Sequence, residues 1–538
     1  MKRAIAILTA AILLLCALPT GLYAAPKDTD TTGDPKATEA AGDSKTKEEA
    51  DEAETGESSD ESETAETAEK PGEASPEDNI VTTKHSVVIK GQTIPYTAEA
   101  GTVTLESGGA TCEMYYAAYT RDDVEDTNDR PITFAFNGGP GSSSYCIQFG
   151  CLGPRKAQMD DTGYAISLPA KIVDNENSVL DMTDLVFIDP VGTGYSRAAE
   201  GSDANEFYGY DNDIRSVGDF IRQYLNRNKR WGSKKYIAGE SYGTTRAVGL
   251  CKYLADTYTI HVNGLMLVSS ANNFSAIIGS NGNETPYLLF VPTYAAVAWY
   301  HGKLAKEYQD MELEEFLKEV RSFVEEEYVP AMFLGRQLSK DKKDEIAEKL
   351  SGYIGLSKDF VLKKNIRIDP DDFRSELLSD EKQFVGRYDG RIKGPATNAP
   401  IYSEAGDPSS SSTDIALVNA YLEYITEELG YETDTPFYTL SEDVNYAWSF
   451  TDDGGLISQE DIVSDCMAQN PFLKIWVLCS YFDGATPFYS AEWTYNHAFI
   501  SEDREDNLSF TYYPSGHMFY VDKESFDKFR QDAEKWYE

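Results

Sequence analysis

Lys235-Tyr236-Ile237-Ala238-Gly239-Glu240-Ser241-Tyr242-Gly243-Thr244-Thr245 is the stretch on which the fold turns. Lys235 to Ala238 has the composition of a short buried strand, and the residues after the turn, through Ala247 and Leu250, have the composition of a helix. Between them stands Gly-x-Ser-x-Gly. A strand that turns directly into a helix must bend so sharply that only glycine fits beside the bend. The residue at its apex is held with its side chain lifted clear of the sheet. The five-residue pattern alone recurs by chance. Set between strand and helix, it marks Ser241 as a nucleophile.

Working outward, short apolar runs recur at Ile132 to Phe136, Leu185 to Ile188, Leu265 to Ser269, Ile475 to Cys479 and Ser509 to Tyr513. Several are continuous rather than alternating, as strands buried on both faces of a parallel sheet require. His85 to Lys90 and Cys112 to Tyr119 read as an antiparallel pair that opens the sheet. Ile214, Val217, Phe220, Ile221, Tyr224 and Leu225 recur at helical spacing between two strands. A further helix is expected from Ser458 to about Asn470, with Ser458 and Asp461 as a capping-box-like start and Ile462 and Val463 turned inward. Alternating strands and helices predict a doubly wound α/β sheet. The alternation breaks between 272 and 450, where Leu313, Phe316, Leu317, Val320, Phe323 and Val324 mark one helix and Asp341 to Leu350 another. The expected organisation is a core in two parts, 80–271 and 451–538, with 272–450 inserted over the sheet's carboxyl edge, where ligands bind in such folds.

A serine nucleophile needs a base, and the chain has five histidines. On a sheet of this kind the acid follows a later strand and the histidine follows the last one. His85 precedes the nucleophile, His261 falls just before a central strand, His301 is in the insertion, and His497 lies in a helix after the penultimate strand. His517 alone follows the final strand, in the turn after Pro514-Ser515-Gly516. The acid that orients it should follow Ile475 to Cys479, and Asp483 is the one acid there before Glu492. Phe136-Asn137-Gly138-Gly139-Pro140-Gly141-Ser142-Ser143 directly follows another strand. A glycine-rich loop there can offer backbone N–H groups to a developing oxyanion, with the Tyr242 amide supplying the rest. It is not a phosphate cradle, since no Gly-Lys-Ser/Thr follows.

The amino terminus and the charge set the context. Lys2 and Arg3, an apolar run from Ala4 to Leu18, and small residues before Pro26 read as a secretory signal peptide over 1–25. A membrane anchor, or a lipid on Cys16, is the alternative. No later stretch reaches the ~20 apolar residues a membrane span needs, so no stable membrane insertion is expected. Residues 26–79 are polar and acidic, with almost no large apolar side chain, and are expected to stay disordered. The formal net charge of −43 extends beyond that segment and argues against nucleic-acid binding. Six cysteines remain after Cys16, with no zinc spacing. They are either disulfide-bonded, Cys146 and Cys151 being closest in sequence, or buried thiols.

Taken together, Asn137-Gly138-Gly139-Pro140-Gly141-x-Ser143, Asp189-Pro190-Val191-Gly192-Thr193-Gly194-Tyr195-Ser196, Gly239-Glu240-Ser241-Tyr242-Gly243 and Gly516-His517-Met518 resemble the serine carboxypeptidase family. The resemblance spans nearly all of the chain after about residue 80. Val385-Gly386-Arg387-Tyr388-Asp389-Gly390-Arg391 looks like a segment of the family's bacterial branch. The resemblance implies an α/β-hydrolase fold with a largely helical cap insertion. It implies an exported enzyme that acts on peptide or protein C-termini without metal or organic cofactor, with Ser241, Asp483 and His517 as the triad. The Gly139 and Tyr242 amides would form the oxyanion hole. Asn137, the Gly138 amide and Glu240 would bind the substrate's terminal carboxylate, and Met518 would line the pocket for the leaving residue. One departure stands out. The family's second glutamate, partner of the acid before the serine, is replaced by Cys151, which removes one source of upward pKa shift from Glu240. A related serine acyl hydrolase or acyltransferase, and an inactive surface binding protein, are the rival readings.

Overall fold

The computed structural model describes residues 78–396, 407–452 and 455–538. The expected signal peptide, Cys16 and all but the last two residues of the acidic segment lie outside the described residues. The apolar runs become strands of one sheet: β1 (Asn79–Ile89), β2 (Gln92–Ser107), β3 (Ala110–Arg121), β4 (Ile132–Phe136), β5 (Asp184–Ile188), β6 (Lys235–Glu240), β7 (Gly264–Val268), β8 (Lys474–Ser480) and β9 (Leu508–Tyr513). They lie in the order β1-β2-β3-β5-β4-β6-β7-β8-β9, and the two-residue strand Arg197–Ala198 pairs with β3. Pairing is antiparallel as far as β3 with β5, and parallel from β5 onward. Every residue of β4, β5 and β7 is buried. The unbroken apolar runs reflect helices covering both faces.

Two details differ from the sequence expectation. His85 to Lys90 and Cys112 to Tyr119 are not paired with each other, because β2 lies between them. That strand alternates Ile94, Tyr96, Ala98 and Ala100 as buried positions. Its alanines and Gly101 have weak strand propensity, which hides it in the sequence. The helix expected from Ser458 runs from Glu460 to Gln469, with Gln459 at its start and no side-chain cap. Ser458 instead bonds the nearby Glu460 carboxylate, so no capping box forms. Val463 is buried as expected, and Ile462 is half-buried.

Helix α1 (Tyr210–Arg227) buries Ile214, Val217, Phe220, Ile221, Tyr224 and Leu225, the six residues at helical spacing. Helix α2 (Tyr242–Tyr258) follows the elbow. Between 272 and 450 lie α3 (Val291–Tyr300), α4 (Leu313–Phe323), α5 (Lys340–Ile354) and α6 (Pro408–Glu423). On α4, Phe316, Leu317, Val320 and Phe323 are buried at helical period. The chain between 272 and 450 returns to the strand ends by isolated bridges, Leu440 to Ser142 and Tyr438 to Gly194. The six cysteines among the described residues form no disulfide and are all buried, which settles the two alternatives in favour of buried thiols.

The strand order fixes where a ligand can enter. The chain moves from β4 outward to β5, then crosses back through α1 to β6 on the other side of β4. This reversal leaves a crevice at the carboxyl ends of β4 and β6. The glycine-rich loop leaves β4 there, and Ser241 leaves β6 beside it, with Phe136 opposite Gly239 in the ladder.

Candidate active site

Ser241 has φ 60° and ψ −129°, a strained conformation for a residue with a side chain. Its N–H donates to the Val268 carbonyl at 2.9 Å, which ties the turn to β7. The flanking glycines are steric necessities. A Cβ on Gly239 would stand 2.1 Å from the Gly243 carbonyl oxygen, and one on Gly243 would stand 2.9 Å from that of Phe136. Gly138 is held just as closely, since a Cβ there would lie 2.4 Å from the Tyr242 amide nitrogen. The glycine-rich loop and the first turn of α2 therefore meet backbone to backbone.

His517 follows β9, and its Nδ1 lies 2.8 Å from Asp483 Oδ2. Asp483 is fully buried, and its oxygens also accept from the amides of Ala485 (2.8 Å) and Thr486 (3.0 Å) and from Thr486 Oγ1 (2.6 Å). Burial alone would push the imidazole's pKa down. The charge of Asp483 and its hydrogen bond outweigh that, and His517 sits above its ordinary value. Ser241, Met518 and His517 face one cavity of about 100 Å3, together with Asn137, Gly138, Gly139 and Glu240. Asp483 stands one hydrogen bond behind it. The other histidines lie elsewhere: His85 is on β1, His301 bonds the Gly390 carbonyl, and exposed His497 bonds the Trp493 carbonyl.

Several further residues support the site from distant parts of the chain. The His517 N–H donates to the Tyr388 carbonyl (2.6 Å), and the two rings are 5.2 Å apart. Gly390 N–H donates to Phe482 O and Gly484 N–H to Arg387 O, both at 2.9 Å. Arg391 is paired with Asp389 (2.7 Å) and donates to Pro514 O (2.8 Å) and Ser515 Oγ (3.0 Å). The segment 386–391 thus fastens both the loop carrying Asp483 and the loop carrying His517. Behind the glycine-rich loop, buried Arg246 is paired with Asp213 (2.7 Å) and donates to the Asn137 carbonyl (2.7 Å). Asp189, from the Asp-Pro-Val-Gly-Thr-Gly-Tyr-Ser stretch, accepts the Ser144 N–H at 2.7 Å. That motif therefore braces the loop rather than facing the cavity.

Glu240 is buried, and burial pushes its carboxyl up to about 7 against the opposing influence of His517, Tyr520 and Asn137. Cys151 in place of the second glutamate removes one source of upward shift, and removal from water supplies another. Cys151 is fully buried, and its thiol is also pushed upward by burial. Tyr520, which no sequence motif singles out, completes the surroundings of the acid. Its hydroxyl lies 2.8 Å from Glu240 Oε2.

A family model described as serine carboxypeptidase matches residues 90–520. The pheromone-processing carboxypeptidase KEX1 of Saccharomyces cerevisiae is 33% identical over 147 residues, 26% of this chain and 18% of that protein. Serine carboxypeptidase-like 29 of Arabidopsis thaliana is 32% identical over 127 residues, 22% of this chain and 24% of that protein. These matches thus span about a fifth to a quarter of the relatives' lengths. The crystal structure of KEX1(delta)p from Saccharomyces cerevisiae superposes with a TM-score of 0.50 at 15% identity, covering 81% of this chain and 92% of that one. That likeness is one of fold, the α/β-hydrolase fold. Among the described residues no helix is long and apolar enough to cross a membrane.

Proposed function

Because the chain belongs to the serine carboxypeptidase family, we propose that it hydrolyses C-terminal peptide bonds through an acyl-enzyme intermediate. The observation that carries this reading is the neighbourhood of Ser241. A buried carboxyl with its pKa raised to about 7, Glu240, and a carboxamide, Asn137, line the same cavity as the nucleophile and the base. A site for internal peptide bonds or simple esters has no need of a protonatable acid beside the serine. A site that holds a substrate carboxylate does, because two ionised carboxylates at hydrogen-bond distance repel.

In this reading His517 takes the Ser241 proton as the hydroxyl attacks the last peptide carbonyl. The Gly139 and Tyr242 amides hold the oxyanion. His517 then returns the proton to the leaving amine, and water releases the acyl group by the same route. Asp483 keeps the imidazole in the tautomer that leaves Nε2 free to accept. Met518 lines the space for the leaving residue, and Asn137, the Gly138 amide and protonated Glu240 hold its carboxylate. The names of the relatives, one a carboxypeptidase and the other carboxypeptidase-like, support peptide C-termini as the substrate class. Residues 1–25 have the composition of an export signal, so we place the enzyme outside the cytoplasm, with 26–79 as an acidic linker and 272–450 as a cap on the core.

The test is a panel of blocked dipeptides with free or amidated ends, run beside labelling by a fluorophosphonate. Release of the last residue from the free acids, with Ser241 labelled, is the expected result. Labelling with equal turnover of free acids and amides, or of simple esters alone, would replace this reading with that of an acyl hydrolase. No labelling at all would leave a binding protein.

A further inference from the structure

The acid beside the nucleophile is held by a side chain that no local pattern announces. Tyr520 lies in the turn Phe519–Val521, just past Met518, and is buried. Its hydroxyl meets Glu240 Oε2 at 2.8 Å. Its ring passes against Gly150, where a Cβ would stand 2.6 Å from Tyr520 Cε2. The residue after Gly150 is Cys151, also fully buried. Residues 150 and 151 thus do two complementary things. One leaves room for an aromatic ring, and the other brings no carboxyl of its own.

We propose that Tyr520 is the positioning residue for Glu240, fixing which carboxyl oxygen carries the proton offered to a substrate carboxylate. This role rests on the carboxypeptidase reading. A carboxyl has two oxygens, and a proton on the wrong one points away from the ligand. The Tyr520 hydroxyl has one hydrogen to donate, and donating it to Oε2 makes that oxygen an acceptor. The Glu240 proton is then confined to Oε1. The other groups that act on Glu240 cannot do this. Asn137 also hydrogen-bonds it, but belongs to the carboxylate-binding set itself. His517 and Asp483 act by charge, one lowering and one raising, and the Cys151 thiol is held protonated by burial. The same hydrogen bond stabilises ionised Glu240, so Tyr520 also keeps the acid from being raised further.

Removing the hydroxyl therefore has two opposed effects, which a merely structural role would not produce. In Tyr520→Phe the proton is no longer confined, so KM for a free-acid peptide rises several-fold at pH 5. The carboxyl also loses a bond that favoured its ionised form, so the pH above which KM climbs moves upward, by on the order of one unit. The two KM profiles converge or cross towards pH 8, while kcat moves much less than KM. Gly150→Ala, which crowds the ring away from Glu240, should shift the profile in the same direction and provides the test if Tyr520→Phe does not fold. In a Glu240→Gln background, Tyr520→Phe should still raise KM but move no pH midpoint, since the side chain at position 240 no longer titrates. The experiment is KM and kcat from about pH 4 to 8 for one blocked dipeptide and its amide, on the full chain and these variants. A wild type that prefers the free acid with pH-dependent KM, together with a Tyr520→Phe profile that does not move, overturns the role of Tyr520 alone. A wild type that does not prefer the free acid at any pH overturns the carboxypeptidase reading beneath it.

Discussion

Asp483 Oδ2 lies 2.8 Å from His517 Nδ1, and Asp483 is entirely removed from solvent. Four hydrogen-bond donors surround the carboxylate, and its charge and its hydrogen bond hold the imidazole above its ordinary pKa. In the proposed mechanism His517 works as a base only when neutral, so kcat should rise with pH and level off above that raised value. In Asp483→Asn the charge is gone, and burial then drives His517 downward. The acid limb of kcat against pH should move to lower pH, while the plateau falls by roughly 10⁴-fold because the imidazole is no longer held in the right tautomer. A limb that stays in place would show that Asp483 does not govern the imidazole.

Ser241→Ala should abolish turnover and fluorophosphonate labelling with no change in melting temperature, since it removes only a hydroxyl. His517→Ala should do nearly as much damage, because nucleophile and base act as a unit. His497 is exposed and stacks on Trp493, with ring centroids 4.1 Å apart. His497→Ala should alter stability by no more than about 0.5 kcal/mol and leave kcat within twofold. An inactive His497→Ala with an active His517→Ala would reverse the assignment.

Arg391 should matter to catalysis without facing the cavity. It is mostly buried, paired with Asp389 and Asp522, and holds the backbone before His517. Arg391→Ala leaves buried Asp389 without its partner, at a cost of about 3–5 kcal/mol of stability. It should also lower kcat more than it raises KM, because the loops carrying Asp483 and His517 lose their common brace. Circular dichroism melts and steady-state kinetics read the two effects separately. Normal kcat in a destabilised Arg391→Ala would mean that the segment 386–391 is a fold element only.

The Asp213–Arg246 pair gives a stability prediction at a distance from the chemistry. Both side chains are almost fully buried, and Arg246 also supports the Asn137 carbonyl. Asp213→Ala should cost about 3–5 kcal/mol, since it leaves a guanidinium buried without a counter-charge. Asp213→Ala combined with Arg246→Met should recover much of that loss, as volume-filling apolar replacements of buried pairs do. The denaturant midpoints of the two variants decide it.

The sequence by itself determined those parts of the candidate site that are carried by local backbone. The elbow is legible because Gly239 and Gly243 are forced by contacts of 2–3 Å, and the glycine-rich loop because Gly138 lies against the Tyr242 amide. Chain order then separated His517 and Asp483 from other histidines and acids. The strands flanking the site were legible because burial on both faces makes them continuous apolar runs. Strand β2 was not, because alanine and glycine carry little strand signal even when they are buried in alternation. The pKa of Glu240 could not be read either, since it depends on how completely the fold excludes water, which no neighbour in sequence reveals. Tyr520, Arg246 and the segment 386–391 act across long stretches of chain. Tertiary structure alone brought them to the crevice, because each works through hydrogen bonds or ion pairs whose partners have no fixed spacing from it.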